Sequence, residues 1–182
     1  MSIGRRTFLQ NAAGAAVLTL TSRISTYGRT RTLKVSATAS GADLADRLSP
    51  EWYRRKIAQV QQEMERRKLD ALLLLNAHNV IYTTGYFHLS TERPLAALIP
   101  KSGDPTLFVP GLETDQVKLW WVKDFESYFD YPGPVNRVRW IFERISHRGL
   151  GSARIGIEEA TPSRMREIKL GAPNAEIVES GD

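Results

Sequence analysis

The side chains with most to offer chemically are few: three histidines, one adjacent glutamate pair, and scattered single carboxylates and arginines. His78 lies in Asn76-Ala77-His78-Asn79, directly after an apolar run, where α/β proteins commonly place binding groups. His88 and Glu92 are four apart and could in principle ligate a metal from one helix face. Gly85 and Pro94 bracket that segment, however, which does not read as a regular helix, and no third ligand has suitable spacing. An exposed loop with polar side chains is the better reading. His147 sits on the polar side of a helix end, where positive charge is favourable. Glu158-Glu159 follows a strand, but neighbours on an extended chain point to opposite faces and make a poor acid/base pair. One of the two is expected to cap the helix near Thr161 or to meet solvent.

Other chemistries are excluded outright. The chain has no cysteine, which removes disulfides, thiolate zinc sites, iron–sulfur clusters and cysteine nucleophiles. It has no G-x-S-x-G elbow, no phosphate-cradling P-loop and no Gly-rich turn between strand and helix. Trp52, Trp120, Trp121 and Trp140 read as core anchors or interface residues rather than a ligand cage. Residue types and spacing alone yield no active site.

The formal charge of +5 over 182 residues invites a nucleic-acid reading, but its distribution argues against one. Arg5, Arg6, Arg23, Arg29, Arg31 and Lys34 fall within the first 39 residues, which hold no acid. From Ser40 onward, 19 of the 25 basic residues face all 20 acidic ones, a formal charge of −1. The excess is a basic leader, not a phosphate-binding face. A composition of 42% hydrophobic and 25% charged residues suits one globular domain with an appendage. No apolar run approaches the roughly 18–20 residues of a spanning helix, so stable membrane insertion is not expected.

Gly4-Arg5-Arg6-Thr7-Phe8-Leu9-Gln10 resembles a twin-arginine export signal, with Arg5, Arg6, Phe8 and Leu9 matching and Gly4 and Gln10 departing from the usual flanks. Asn11 to Thr21 is weakly apolar and too short to span a bilayer. Val35-Ser36-Ala37 and Ala37-Thr38-Ala39 both suit a signal peptidase, giving cleavage after Ala37 or Ala39. The resemblance implies export of folded cargo through the twin-arginine translocase, to the periplasm or the extracellular space. An organelle transit peptide and a basic N-terminus without signal function are the alternatives. Residues 1–39 are thus read as leader, 40–48 as linker and 49–182 as domain.

Within the domain, helices and strands alternate. Ser49-Pro50-Glu51 opens a helix by N-cap, N1 proline and first-turn acid, and Tyr53, Ile57, Val60, Gln61 and Met64 carry its inner face to about Lys68. Ala71 to Leu75 is unbroken and apolar, as a strand buried on both faces would be. Strands are expected at Leu95–Ile99 and Thr106–Val109, and the tight Lys101–Pro105 turn makes them antiparallel. Glu113–Trp121 reads as a short helix, Phe125–Phe129 as a strand and Asn136–Arg148 as an amphipathic helix stopped by Gly149 and Gly151. Arg154–Ile157, Pro162–Leu170 and Ala175–Val178 complete the pattern as strand, helix and strand. The sum is an α/β fold, a mixed sheet with helices on both faces.

One ordered set of segments adds a family likeness. Leu69-Asp70-Ala71-Leu72-Leu73-Leu74 precedes Asn79-Val80-Ile81-Tyr82-Thr83-Thr84-Gly85-Tyr86, then Arg93 to Ile99, then Gly103-Asp104-Pro105-Thr106-Leu107-Phe108-Val109-Pro110. With Arg154 to Glu158 and Ala175 to Val178, from about Trp52 to Asp182, this resembles the N-terminal domain of the creatinase, prolidase and aminopeptidase P family. The resemblance implies a ribonuclease H-like fold with a mixed, mostly parallel sheet. It implies that hydrolysis belongs to a separate pita-bread domain, where two aspartates, a histidine and two glutamates hold two divalent metal ions such as Mn, Co or Zn. No metal ligand or catalytic residue of that set maps onto this sequence, so no cofactor is expected within it.

The resemblance also implies a homodimer in which the loop Tyr86–Arg93 walls the partner's active-site mouth. Arg93 falls where the creatinase loop has a substrate-contacting arginine, and Thr91 stands in place of its aromatic, which argues against creatine-like substrates. Tyr86, His88 and Arg93 are therefore the substrate-binding candidates, for a peptide or small amide. Arg93 as a strand-edge charge before Pro94 is the competing structural reading. Two functions follow: the non-catalytic N-terminal domain of an exported Xaa-Pro dimetal peptidase, or a free-standing exported binding and dimerisation module without enzymatic activity.

Overall fold

A computed structural model describes residues 48–87, 93–129 and 136–180. Helix α1 spans Pro50–Arg66, and the Ser49 hydroxyl accepts the Trp52 N–H at its start. Ile57 and Met64 are buried on its inner face, each stabilising by roughly 1.5–3 kcal/mol. The helix stops two residues before Lys68. Arg67 is the C-cap, Lys68 adopts φ +57°, and the Leu69 N–H reaches back to the Met64 carbonyl at 2.8 Å. That is the usual glycine-type helix stop, built here on a lysine, with Leu69 and Met64 buried in one cluster.

Strand β1 (Ala71–Leu74) follows at once. It lies inside a six-stranded sheet of order β4-β3-β2-β1-β5-β6, where β2 is Ala96–Pro100, β3 Thr106–Pro110, β4 Asp124–Tyr128, β5 Arg154–Ile157 and β6 Glu176–Glu179. β1 runs antiparallel to β2, with Leu73 opposite Leu98, and parallel to β5, with Leu73 beside Ile157. β2–β3 is antiparallel as the tight turn requires, and β3–β4 and β5–β6 are parallel. Three of the five junctions are therefore parallel, and the sheet is mixed, as expected.

Both faces are covered. α1, α2 (Ala77–Thr84) and α3 (Thr114–Lys118, entered by a 3₁₀ turn at Gly111–Glu113) pack on one, where Leu74, Ile99 and Val109 meet Ile57, Val80 and Val117. α4 (Arg137–Ile145) and α5 (Pro162–Gly171) pack on the other, where Leu73, Leu98 and Ile155 meet Ile141, Phe142 and Ile168. The alternation of β1 between the two clusters explains its unbroken apolar run: Ala71 and Leu73 serve one, Leu74 the other. α4 and α5 approach closely because Gly171 has no side chain; a Cβ there would lie 2.5 Å from the Arg139 carbonyl. Ser146 fastens the same contact by donating to the Phe142 and Gly171 carbonyls at 2.9 and 3.1 Å.

Two readings of the sequence are corrected. The eight-residue helix α2 went unrecognised, because Val80, Ile81, Thr83 and Thr84 carry β-branched side chains that disfavour helix locally. The expected helix 136–148 stops at Ile145 and continues as a wide turn through Ser146–Leu150, where Gly149 has φ +83°. That turn carries Arg148, whose guanidinium forks onto both oxygens of Asp124 (2.6 and 2.9 Å) and donates to Glu126 and Thr106, tying α4 to the start of β3 and β4. Arg144 adds a second ion pair to Glu126. The hydrogen bonds from Arg148 hold the Asp124 carboxyl below its ordinary range.

Candidate functional site

The chain reverses its build order between β1 and β5: β1 leads to α2 on one face, β5 leads to α5 on the other. At such a point the carboxyl ends of the strands open a crevice, and ligands bind there in many α/β proteins. Here the crevice measures about 540 Å³ and is lined by Leu72, Leu74, Asn76, Asn79, Glu158 and Arg164, among others. Its anion position is already taken by the chain itself. Glu158 Oε2 accepts the Leu75 and Asn76 N–H groups, both at 2.6 Å, and Oε1 accepts the Asn79 side-chain amide at 2.5 Å. Asn76 completes the cap by accepting the His78 N–H at 2.9 Å. A carboxylate at a helix N-terminus is favoured by the unpaired amides and by the helix dipole.

Glu158 and Glu159 both line the crevice but take different partners. The helix that Glu158 caps is α2, however, not the one beginning at Thr161, which Thr161 caps itself through the Arg164 N–H. Glu159 pairs with Arg164 at 3.4 Å. His78 is exposed on the first turn of α2. His147 is exposed with its Nδ1 3.2 Å from an Arg144 guanidinium nitrogen.

The other end of α2 launches the segment singled out by the sequence. Both the Trp120 and the Trp121 indole N–H donate to the Thr84 carbonyl, at 2.9 and 2.7 Å. Gly85 then turns at φ +69° beneath the Tyr53 ring, where a Cβ would come within 2.4 Å of the ring. Tyr53 in turn stacks on Trp121 at 6.0 Å and 11°. The tryptophans thus anchor one turn, a role that their adjacency in sequence did not specify.

Tyr86 is corrected. Its side chain is fully buried, with the ring edge-on to Trp120 at 6.0 Å and the hydroxyl donating to Glu113 at 3.3 Å. A residue with no exposed surface is a pillar of this domain's core rather than an exposed group of its surface. Burial first, then the Glu113 carboxylate, pushes the phenol far above its ordinary range, so it stays protonated and a donor. Phe87 emerges to solvent, its carbonyl held by the Gln116 side-chain amide at 3.2 Å. His88 and Glu92 lie outside the described residues. Arg93 is half-buried, and the carbonyl of the next residue, Pro94, accepts the Tyr128 hydroxyl at 2.8 Å.

Of the substrate candidates, the structure therefore describes Tyr86 in the core and Arg93 beside a pinned proline. Arg5, Arg6, Phe8 and Leu9, the candidates for an export signal, also lie outside the described residues. Among the described residues, no three histidine, aspartate or glutamate side chains come together to hold a metal ion. No helix there is long and apolar enough to cross a membrane.

The profile of the creatinase/prolidase N-terminal domain matches residues 56–182. The chain belongs to that family. The match begins within α1 and takes in every strand of the sheet. An uncharacterized peptidase of Staphylococcus epidermidis is 29% identical over 114 residues, covering 62% of this chain and 30% of its own length. One of Staphylococcus saprophyticus is 36% identical over 63 residues, 35% of this chain and 18% of its own length. The chain thus spans under a third of the curated relatives it matches. Among solved structures, the N-terminal domain of an Xaa-Pro dipeptidase from Lactobacillus brevis has a TM-score of 0.54 at 24% identity, covering 70% of this chain and 92% of that one. A proline dipeptidase from Streptococcus pneumoniae has a TM-score of 0.58 at 20% identity, covering 69% and 91%. At these identities the solved structures speak for the creatinase/prolidase N-terminal fold.

Proposed function

We propose that residues 49–182 form the non-catalytic N-terminal domain of an exported Xaa-Pro-type peptidase, making dimer contacts and lending Arg93 to the rim of a partner's active site. The observation that carries this reading is the family match over 56–182, joined to relatives that are peptidases about three times longer than the matched segment. By the family resemblance, peptide hydrolysis belongs to a separate catalytic domain. There, two divalent metal ions would supply the hydroxide and polarise the scissile carbonyl.

What this domain's own residues do is positional. An arginine can grip a substrate carboxylate through two parallel N–H bonds, a geometry that lysine cannot reproduce. His88 would add at most one modest hydrogen bond, about 1 kcal/mol. Export rests on Arg5, Arg6, Phe8 and Leu9 and on the Ala-rich run that follows them.

The test compares the purified 182-residue chain with the product of the full reading frame, using a Leu-Pro dipeptide and added Mn²⁺. The longer protein is expected to hydrolyse it and the 182-residue chain is not. Metal-dependent turnover by the 182-residue chain sinks the proposal, and a reading frame that ends at Asp182 favours the free-standing module instead. Replacing Arg5 and Arg6 by lysine is expected to retain the protein in the cytoplasm. Unchanged export counts against the twin-arginine route.

A further inference from the structure

The geometry points to Tyr128, at the end of β4, as the positioning residue for Arg93; this rests on the reading of Arg93 as a substrate-rim group. Tyr128 is buried, with its ring tilted 60° against Trp140 at 5.8 Å and its hydroxyl donating to the Pro94 carbonyl at 2.8 Å. Proline fixes its own φ near −65°, and the residue before it is confined to extended conformations. Holding the Pro94 carbonyl therefore constrains Arg93 through one rigid ring and one restricted residue. On the other side Leu95 is buried and Ala96 opens β2, so the backbone cannot slide toward the sheet.

Tyr128 comes to this backbone from a different strand. It lies in an edge strand, opposite Pro110 in the parallel register with β3, and packs against Trp140 of α4. Its hydroxyl reaches from that position to the backbone that presents Arg93. The precision matters because forked recognition of a carboxylate is steep in geometry.

The experiment uses the full-length enzyme with a Leu-Pro dipeptide and three proteins: Arg93→Ala, Tyr128→Phe and the double variant. Tyr128→Phe removes one oxygen and leaves the ring to pack on Trp140, and thermal melts check that it folds. The expected result is a KM raised about 3- to 10-fold by Tyr128→Phe, with kcat within about twofold. The double variant should be no worse than Arg93→Ala alone, because both act through one guanidinium. If the two effects multiply, if Tyr128→Phe leaves KM unchanged while Arg93→Ala raises it, or if its kinetics fall only with the folded fraction, the assignment of Tyr128 is overturned and the rim reading stands. If Arg93→Ala itself leaves KM unchanged, the rim reading fails and takes the positioning role with it.

Discussion

Replacing Glu158 by alanine tests whether the carboxylate at the crevice holds the fold's central crossing. The side chain accepts three hydrogen bonds at 2.5–2.6 Å, two of them from the backbone amides of Leu75 and Asn76. Hydrogen bonds to a charged group contribute about 1.5–3 kcal/mol each when buried, but Asn76 and Asn79 are exposed and water can replace part of the loss. A loss of about 2–3 kcal/mol is the reasoned outcome for Glu158→Ala, including the favourable charge at the α2 N-terminus. Glu158→Gln keeps an oxygen that can still accept both amides, and the Asn79 amide can flip to meet the new donor. Its cost should stay near 1 kcal/mol, the charge contribution alone. Urea unfolding of the chain reads both as shifts in midpoint at unchanged slope, while hydrogen exchange at Leu75, Asn76 and His78 locates the loosening. An alanine variant within 0.5 kcal/mol of wild type, or a glutamine variant as weak as the alanine one, would refute the clamp.

Three further outcomes follow from named contacts. Lys68→Gly should stabilise by about 0.5–1 kcal/mol in the same unfolding assay, since only the left-handed backbone at φ +57° is being relieved on an exposed residue; a loss of stability would contradict that. Gly171→Ala should cost about 1–3 kcal/mol, because its Cβ would press on the Arg139 carbonyl at 2.5 Å, and an unchanged melting temperature would show that α4 and α5 can part freely. The Asp124 carboxyl is depressed below 3.8 by Arg148 in the folded state, so its contribution is complete above the unfolded value and disappears as pH falls through the folded one. Stability should decline as pH drops below about 4, and Asp124→Asn should flatten that decline; an identical acid profile in both proteins would discount the pair.

The sheet was legible because its signals are local. β5 falls where the sequence put it, β3 is longer by a residue, and the Lys101–Pro105 turn forced the antiparallel pair. The helix α2 was not legible, because what stabilises it comes from elsewhere. Its N-terminus is held by a glutamate more than 70 residues away, and its last carbonyl by two indoles over 30 residues on. Eight residues with four β-branched side chains have little helix preference of their own. Tertiary partners supply the rest.

The same distinction explains Tyr86 and Arg93. A motif in sequence marks residues that recur together but does not say which way each side chain points. The turn at Gly85 needs a cover, and Tyr53 provides it; the next residue then enters the core, where Trp120 and Glu113 receive it. With Tyr86 buried, Phe87 emerges to solvent. The motif's aromatic therefore fixes the backbone just after Gly85, while Tyr128 fixes it again at Pro94. On the reading proposed above Arg93 acts on a partner molecule, so it must be tested in the assembled enzyme rather than in this domain by itself.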